Sequence, residues 1–150
     1  MSEARTISLS LSVVVFNSPL DYVSMTLEST MTAITYAREN KLLCRVKLQI
    51  IDNSGDLGYK NKIQSVIDRL SLPEGCTIVL EQNKENNGFG AAHNQAIVGA
   101  DSDIHLVLNP DVELDRSALF DGISTLINNS GVLLVAPSAV CSKGKPLYLS

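Results

Sequence analysis

The 150-residue sequence has few cysteines, no long apolar run and no excess of basic residues. Its cysteines, Cys44, Cys76 and Cys141, lie far apart in no paired spacing, which favours free thiols over disulfides or a zinc site. No stretch is long and apolar enough to span a bilayer, and serines interrupt the apolar N-terminal stretch, unlike a signal peptide. The formal net charge of −4 argues against nucleic acid as the main partner. We therefore expect a cytoplasmic protein.

Two motifs of familiar enzyme classes are also missing. The sequence has no GxSxG, which excludes the nucleophile turn of a serine hydrolase, and no GK[ST] follows a glycine-rich loop, which excludes a P-loop. Gly88-Phe89-Gly90 begins like a dinucleotide fingerprint, but His93 stands where the third glycine or alanine belongs. The motif also follows the third predicted strand instead of the first. An NAD-dependent oxidoreductase therefore stays open only as an alternative.

Short apolar runs alternate with helical patterns along the whole chain. The runs predict five strands, at residues 9–16, 46–51, 77–80, 104–108 and 132–136. Apolar residues at three- and four-residue steps predict helices at 19–40, 63–70, 91–100 and 115–129, with Ser18 capping the first and Pro19 in its first turn. This alternation predicts a single α/β domain over residues 1–150, with a mostly parallel sheet and helices on both faces.

Polar residues follow three of the predicted strands. In a parallel sheet these strand ends lie on one edge, where ligands bind in open α/β sheets. Amides and carboxylates there suit a nucleotide base, and the Asp111 carboxylate beside Asn109 suits a divalent cation that carries phosphates. Each segment alone is equally explained as a turn. The segments are Asn17-Ser18, Asp52-Asn53 and Asn109-Pro110-Asp111.

The glycine loop and the two histidines each allow more than one interpretation. Gly88 and Gly90 permit either tight packing of the loop on the next helix or a close approach of backbone to a sugar or phosphate. His105 lies inside the fourth predicted strand, as a satisfied core or edge histidine would, and His93 begins the alanine-rich helix. We assign neither histidine a catalytic role, since the sequence gives neither a partner.

Four motifs in order, SVVVFNS, IIDNSGD, NNGFGAAHNQAI and LVLNPDVEL, resemble the nucleotide-sugar half of family 2 glycosyltransferases. The resemblance covers residues 12–137 and is to members with the GT-A fold, in particular the rhamnosyltransferase-like branch. It implies that one group of residues borders the base and ribose, and that a second lines the ribose, diphosphate and sugar. The first group is Phe16, Asn17, Ser18, Asp52 and Asn53, and the second is Asn87, Gly88, Phe89 and Asn94.

The resemblance also implies a metal and a reaction. Asn109-Pro110-Asp111 matches the position of the family's DxD motif, so Asp111 would ligate Mg²⁺ or Mn²⁺, while Asn109 replaces the first acid. The implied reaction is an inverting transfer in which an acceptor hydroxyl, helped by a general base, displaces a nucleoside diphosphate. The donor would be a dTDP-linked sugar such as dTDP-rhamnose, or a UDP-linked sugar. The acceptor would be a glycan or a lipid-linked glycan of a surface polysaccharide such as O-antigen, at the inner face of the membrane.

The family's general base and most of its acceptor site come from a downstream segment, and no residue here matches them. We therefore expect either the donor-binding part of a longer enzyme or a short, non-catalytic module of the same fold. The missing half would cover one edge of the sheet, so self-association is a further hypothesis.

Overall fold

The computed structural model describes residues 6–141 and residue 144, and within them it forms an α/β domain. The four strands are all parallel, in the order β3-β2-β1-β4, which confirms the predicted fold class. In this described part, no helix has the length and apolar character needed to cross a bilayer. The elements in chain order are β1 (Ile7–Val15), α1 (Leu20–Glu39), β2 (Leu43–Asp52), α2 (Leu57–Ile67), β3 (Cys76–Gln82), α3 (Phe89–Val98), β4 (Ile104–Leu108) and α4 (Ala118–Asn128).

The central strand β1 is buried on both faces, as its apolar run predicts. On one face Leu11 and Val13 pack in a large core that also contains residues of α1, α2 and α4. On the other face Val14 packs with Ile51 and with Ala92 of α3 in a smaller cluster. Helices therefore cover both faces of the sheet, and α3 lies on the face opposite the other three.

The predicted start of α1 is wrong in detail. Pro19 occupies the N-cap position with φ −56° and ψ 131°, and no side chain caps the helix, which begins at Leu20. The Ser18 hydroxyl instead accepts a hydrogen bond from the Phe16 amide over 3.4 Å. Pro19 holds this extended conformation and has no side-chain oxygen that could accept from the first amides of the helix.

The predicted fifth strand is also wrong, since residues 132–136 form no strand. Leu133 and Leu134 are 93% and 86% exposed, and the segment borders a largely apolar groove of about 1320 Å³ beside α4 and β4. A strand is stable only when it finds a partner in a sheet. Among the residues described here, β1 is the only strand paired with β4, so the apolar run gains no ladder.

Candidate functional site

The strand order reverses at β1, and we use the word crevice for the carboxyl-end edge of the sheet at this reversal. The chain moves from β1 to β2 and β3 on one side, then crosses so that β4 lies on the other side of β1. Ligands of open α/β sheets bind where the order reverses, outside the carboxyl ends of the strands. The register puts Val15 opposite Asp52, Asp52 opposite Gln82, and Val13 opposite Leu108. The structure therefore brings the segments after β1, β2 and β4 to one edge.

The loop after β1 presents two exposed side chains at this edge. Phe16 is 52% exposed, and the exposed Asn17 has φ +50°, a left-handed conformation that asparagine tolerates better than most residues. The Tyr59 hydroxyl donates to the Ser18 carbonyl over 2.9 Å. Burial raises the pKa of Tyr59, so this donor keeps its proton at neutral pH. The loop is thus tied to α2 while Phe16 and Asn17 stay accessible.

Asp52 lies at the end of β2 and is fully buried. Its carboxylate accepts hydrogen bonds from the Ser54 amide over 2.8 Å and from the Gln82 side chain over 2.6 Å. It therefore joins the loop that follows β2 to the last residue of β3. A carboxylate can accept further donors, but this one has no exposed surface, so the base contact through Asp52 stays a prediction.

The buried Asn53 side chain supports the loop of residues 86–90, the glycine loop, through hydrogen bonds. It is only 1% exposed, and its amide nitrogen donates to the Asn86 side chain over 3.4 Å and to the Gly88 carbonyl over 3.3 Å. Its amide oxygen accepts from the Asn83 side chain over 2.7 Å. Sequence reasoning missed Gln82, Asn83 and Asn86, although the polar run QNKENN was a signal. Asn53 acts here as a buried support, and its place beside a base stays a prediction.

The glycine loop leaves open space above its backbone. Gly88 has φ +86° and ψ 159°, a conformation almost confined to glycine. A Cβ added at Gly88 or Gly90 would have no atom within 4 Å, so tight loop–helix packing does not explain either residue. Helix α3 begins at Phe89, two residues before its predicted start. Phe89 is half exposed, and Asn87 and Asn94 are exposed.

The segment after β4 is fixed by hydroxyl groups of α1. The Val112 amide donates to the hydroxyl of the fully buried Thr26 over 3.0 Å, and the Leu114 amide donates to the Ser29 hydroxyl over 3.1 Å. These bonds hold the backbone just after Asp111. Sequence reasoning missed both hydroxyls because it read α1 by its apolar spacing alone, although its many serines and threonines were a signal.

Asn109 and Asp111 are exposed at the crevice, and their chemistry suits a divalent cation only in part. No cluster of three or more histidine, cysteine, aspartate or glutamate side chains suited to a metal occurs in the described ranges. The residues that the structure describes therefore form no complete metal cage there. Mg²⁺-type ions are commonly held by one or two carboxylates together with substrate phosphates. One exposed carboxylate beside an amide oxygen fits a cation that arrives with a diphosphate.

Two histidines, His93 of α3 and His105 of β4, lie between α3 and the sheet, on the sheet face opposite the main core. His93 is 3% exposed, and its Nδ1 lies 2.7 Å from the Ser12 hydroxyl. The same hydroxyl lies 2.8 Å from His105 Nε2. Burial is the main cause that lowers the pKa of both imidazoles, and the positive form of His105 lowers the pKa of His93 further. Both are therefore neutral at pH 7, and His105 is a satisfied histidine as predicted.

No protein-family model matches the sequence, and no curated protein is significantly similar to it. Among solved structures, the chain is similar to the mannosyltransferase PcManGT from Pyrobaculum calidifontis in complex with GDP-Man and Mn²⁺. That match has a TM-score of 0.63 and 16% identity, and it covers 79% of this chain and 32% of that one. The fold is GT-A-like. S. aureus TarS is similar with a TM-score of 0.55 and 17% identity, over 81% of this chain and 20% of TarS.

The similarity to these two structures concerns the fold alone, because the sequence identities are only 16% and 17%. The chain spans about a third of the length of PcManGT and about a fifth of that of TarS. The glycosyltransferase resemblance read from the motifs is thus confirmed at the level of the fold. Membership of family 2 and of the rhamnosyltransferase-like branch stays a prediction.

Proposed function

We propose that this chain is the donor-binding domain of a metal-dependent glycosyltransferase. The observation that carries the proposal is the meeting of three polar segments, after β1, β2 and β4, at the reversal point of a GT-A-like parallel sheet. Each segment alone has the composition of an ordinary turn. Their common position, together with the open space over Gly88 and Gly90, supports a ligand that extends along this edge.

The accessible side chains divide the crevice into two ends. At the β1 end, the exposed Phe16 ring offers a flat apolar surface to a base, and Asn17 offers an amide to the base or ribose. At the α3 end, Asn87 and Asn94 offer amides to sugar hydroxyls, and Phe89 offers a ring. Buried Asp52 and Asn53 hold the loops that carry these groups.

Asp111, with Asn109 beside it, would hold Mg²⁺ or Mn²⁺ on the diphosphate. When bound, such an ion stabilises the negative charge that develops on the leaving nucleoside diphosphate. The Thr26 and Ser29 hydroxyls fix the backbone that follows Asp111. The position from which the Asp111 side chain extends is therefore fixed. PcManGT was solved with Mn²⁺, which supports testing Mn²⁺ first.

The reaction that we propose is an inverting transfer. The bond between the anomeric carbon and the diphosphate oxygen breaks, a bond from the acceptor oxygen forms on the opposite face, and the acceptor proton passes to a general base. We assign that base and the acceptor site to polypeptide outside this chain. The donors that we propose are dTDP-rhamnose and UDP-sugars, for a glycan or lipid-linked acceptor at the inner membrane face.

Thermal melting with a panel of donors tests this proposal. The panel contains dTDP-rhamnose, UDP-glucose and, because PcManGT was solved with GDP-Man, GDP-mannose, each with and without Mn²⁺. We expect at least one donor to raise the melting temperature, and Mn²⁺ to increase that shift. Asp111→Ala should remove the part of the shift that depends on Mn²⁺. A panel that leaves the melting temperature unchanged throughout would contradict the proposal.

A non-catalytic nucleotide-sugar-binding or assembly module is the second candidate. Its basis is that no residue of this sequence matches the general base of the glycosyltransferase family that the motifs resemble. Both candidates predict donor binding, whereas only the first predicts turnover by the whole enzyme. Release of free sugar or transfer to an added glycan, measured beside binding, distinguishes the two.

A further inference from the structure

A chain of five polar side chains crosses the sheet face beneath α3, and the proposed function does not use it. The Ser102 hydroxyl donates to the Ile104 carbonyl over 3.0 Å. The remaining links are Ser10 to Ser102 at 2.7 Å, Ser10 to His105 Nδ1 at 2.7 Å, Ser12 to His105 Nε2 at 2.8 Å, and Ser12 to His93 Nδ1 at 2.7 Å.

The carbonyl at one end fixes the direction of every bond in this chain. A carbonyl can only accept, so the Ser102 proton is used there and Ser10 must donate to Ser102. His105 must then donate from Nδ1 to Ser10, which leaves Nε2 as the acceptor for the Ser12 proton. His93 must in turn donate from Nδ1 to Ser12. We call this order of donors, from His93 towards the Ile104 carbonyl, the forward direction. It satisfies all five bonds with both imidazoles neutral.

The reverse direction is worse by two counts. If Ser102 donates to Ser10 instead, the hydrogen bond to the Ile104 carbonyl is lost. His93 Nδ1 must then accept from Ser12, so the proton of the neutral ring lies on Nε2, which is buried and has no partner in the described part of the chain. A buried N–H without a partner is rarer and costlier than an unused acceptor. The forward direction leaves only a lone pair at this position.

His93 connects this chain to the glycine loop. Its ring lies against the ring of Phe89, the first residue of α3, with the centroids 4.3 Å apart and the planes at 72°. Phe89 directly follows Gly88. The hydrogen bond from His93 to Ser12 is therefore a polar tie between β1 and the first turns of α3.

We propose that His93 is a positioning residue for the nucleotide-sugar site: as the neutral Nδ1–H tautomer, it ties the start of α3 and the Phe89 ring to Ser12. This inference rests on the proposed function and deepens it. A proton added to His105 turns its Nε2 from an acceptor into a donor that faces the Ser12 hydroxyl, and this breaks the direction of the chain. A proton added to His93 puts a charged N–H on the buried Nε2, which has no partner among the described residues. Donor affinity should therefore fall as His93 and His105 become charged.

The charged groups on the same sheet face are few. By register, β2 contributes Arg45 and Lys47, β3 contributes Glu81, and β4 contributes His105. Glu81 accepts a hydrogen bond from Gln95 of α3, and Arg45 pairs with Asp101. None of these three is a link of the polar chain, so the two histidines are its titratable members.

The first test is the tautomer itself, read from long-range ¹H–¹⁵N couplings of the two imidazoles in the wild-type chain at pH 7.5. We expect both histidines to carry the proton on Nδ1. An Nε2–H signal from either histidine would overturn the proposal. This measurement needs no variant and no nucleotide, so it stands even if the proposed function fails.

The second test uses a matched pair of variants. In His93→Asn the amide nitrogen can take the place of Nδ1 and donate to Ser12, whereas in His93→Gln it lies near the place of Nε2. The ligand is the nucleotide sugar that gives the largest rise in melting temperature. We expect His93→Asn to bind it with wild-type affinity at pH 7.5 and to lose less of this affinity than the wild type below pH 6.5. His93→Gln should bind about tenfold more weakly, as for one buried hydrogen bond. Equal affinity and equal pH profiles in the two variants would refute the role.

Hydrogen exchange of the α3 amides separates this inference from the proposed function. If the wild type binds no donor, faster exchange at residues 92 and 93 in His93→Gln, but not in His93→Asn, still supports the tie. Equal exchange in both variants would reject it. A failure of donor binding alone would then count only against the proposed function.

Discussion

The two glycines of the loop before α3 allow a matched pair of substitutions with opposite expected signs. A Cβ added at either position would meet no atom within 4 Å, so steric contact contributes to neither effect. Gly88 has φ +86° and ψ 159°, where an L residue costs about 1–3 kcal/mol. Gly90 lies inside α3 with a negative φ, where alanine is favoured over glycine by about 1 kcal/mol.

Gly88→Ala should therefore lower the free energy of unfolding and Gly90→Ala should raise it. For a chain of this size 1 kcal/mol corresponds to about 3 °C in melting temperature. We expect Gly88→Ala to melt about 3–9 °C lower and Gly90→Ala about 3 °C higher. Urea unfolding of the three proteins, with equal m-values required, measures both changes. A Gly88→Ala protein as stable as the wild type would refute the backbone argument.

Three further predictions concern buried polar groups. Asn53→Ala removes the support of the glycine loop and should cost about 1–3 kcal/mol, while the exposed Asn94→Ala should leave urea unfolding within about 0.5 kcal/mol of wild type; equal losses would contradict the assigned roles. Thr26→Val leaves the Val112 amide without its acceptor and should cost about 1–3 kcal/mol, and an unchanged urea midpoint would argue against that anchor. The lowered pKa values of His93 and His105 mean that the unfolded chain binds more protons below pH 6.5. Their contribution to stability is therefore complete above pH 6.5 and is lost as the pH falls through the folded pKa values. The melting temperature should fall as the pH is lowered from 6.5 to 5, and it should fall less steeply in His93→Asn than in the wild type. An equal pH dependence in the two proteins would contradict this contribution of the histidines to stability.

Much of the fold followed from local patterns. The run of β-branched residues in β1 marked a strand that is buried on both faces. Pro110 marked the end of β4, although β4 is only partly buried and lies at the edge of the described sheet instead of its centre. The run at residues 132–136 is similarly apolar and forms no strand, because strand formation depends on a partner that the local sequence does not encode. Composition identified strand-forming segments, and pairing decided which of them became strands.

The site was predictable only where it depended on topology. Once the sheet is parallel, Asn17, Asp52 and Asn109 must follow strands that end on one edge. Their burial was not predictable in this way, since Asp52 proved fully buried and Asn109 exposed. The bond between Ser12 and His93 joins residues 81 positions apart, and no periodicity within either element indicates it.

Calorimetric titration of the preferred donor into the wild type, Asp111→Ala and the exposed neighbour Glu113→Ala tests the central claim most directly. The claim is that the polar edge of this sheet binds a nucleotide diphosphate through a cation on Asp111. It predicts Mn²⁺-dependent binding in the wild type and Glu113→Ala, and loss of that dependence in a folded Asp111→Ala protein. Binding that ignores Mn²⁺, or that Asp111→Ala leaves unchanged, would contradict it.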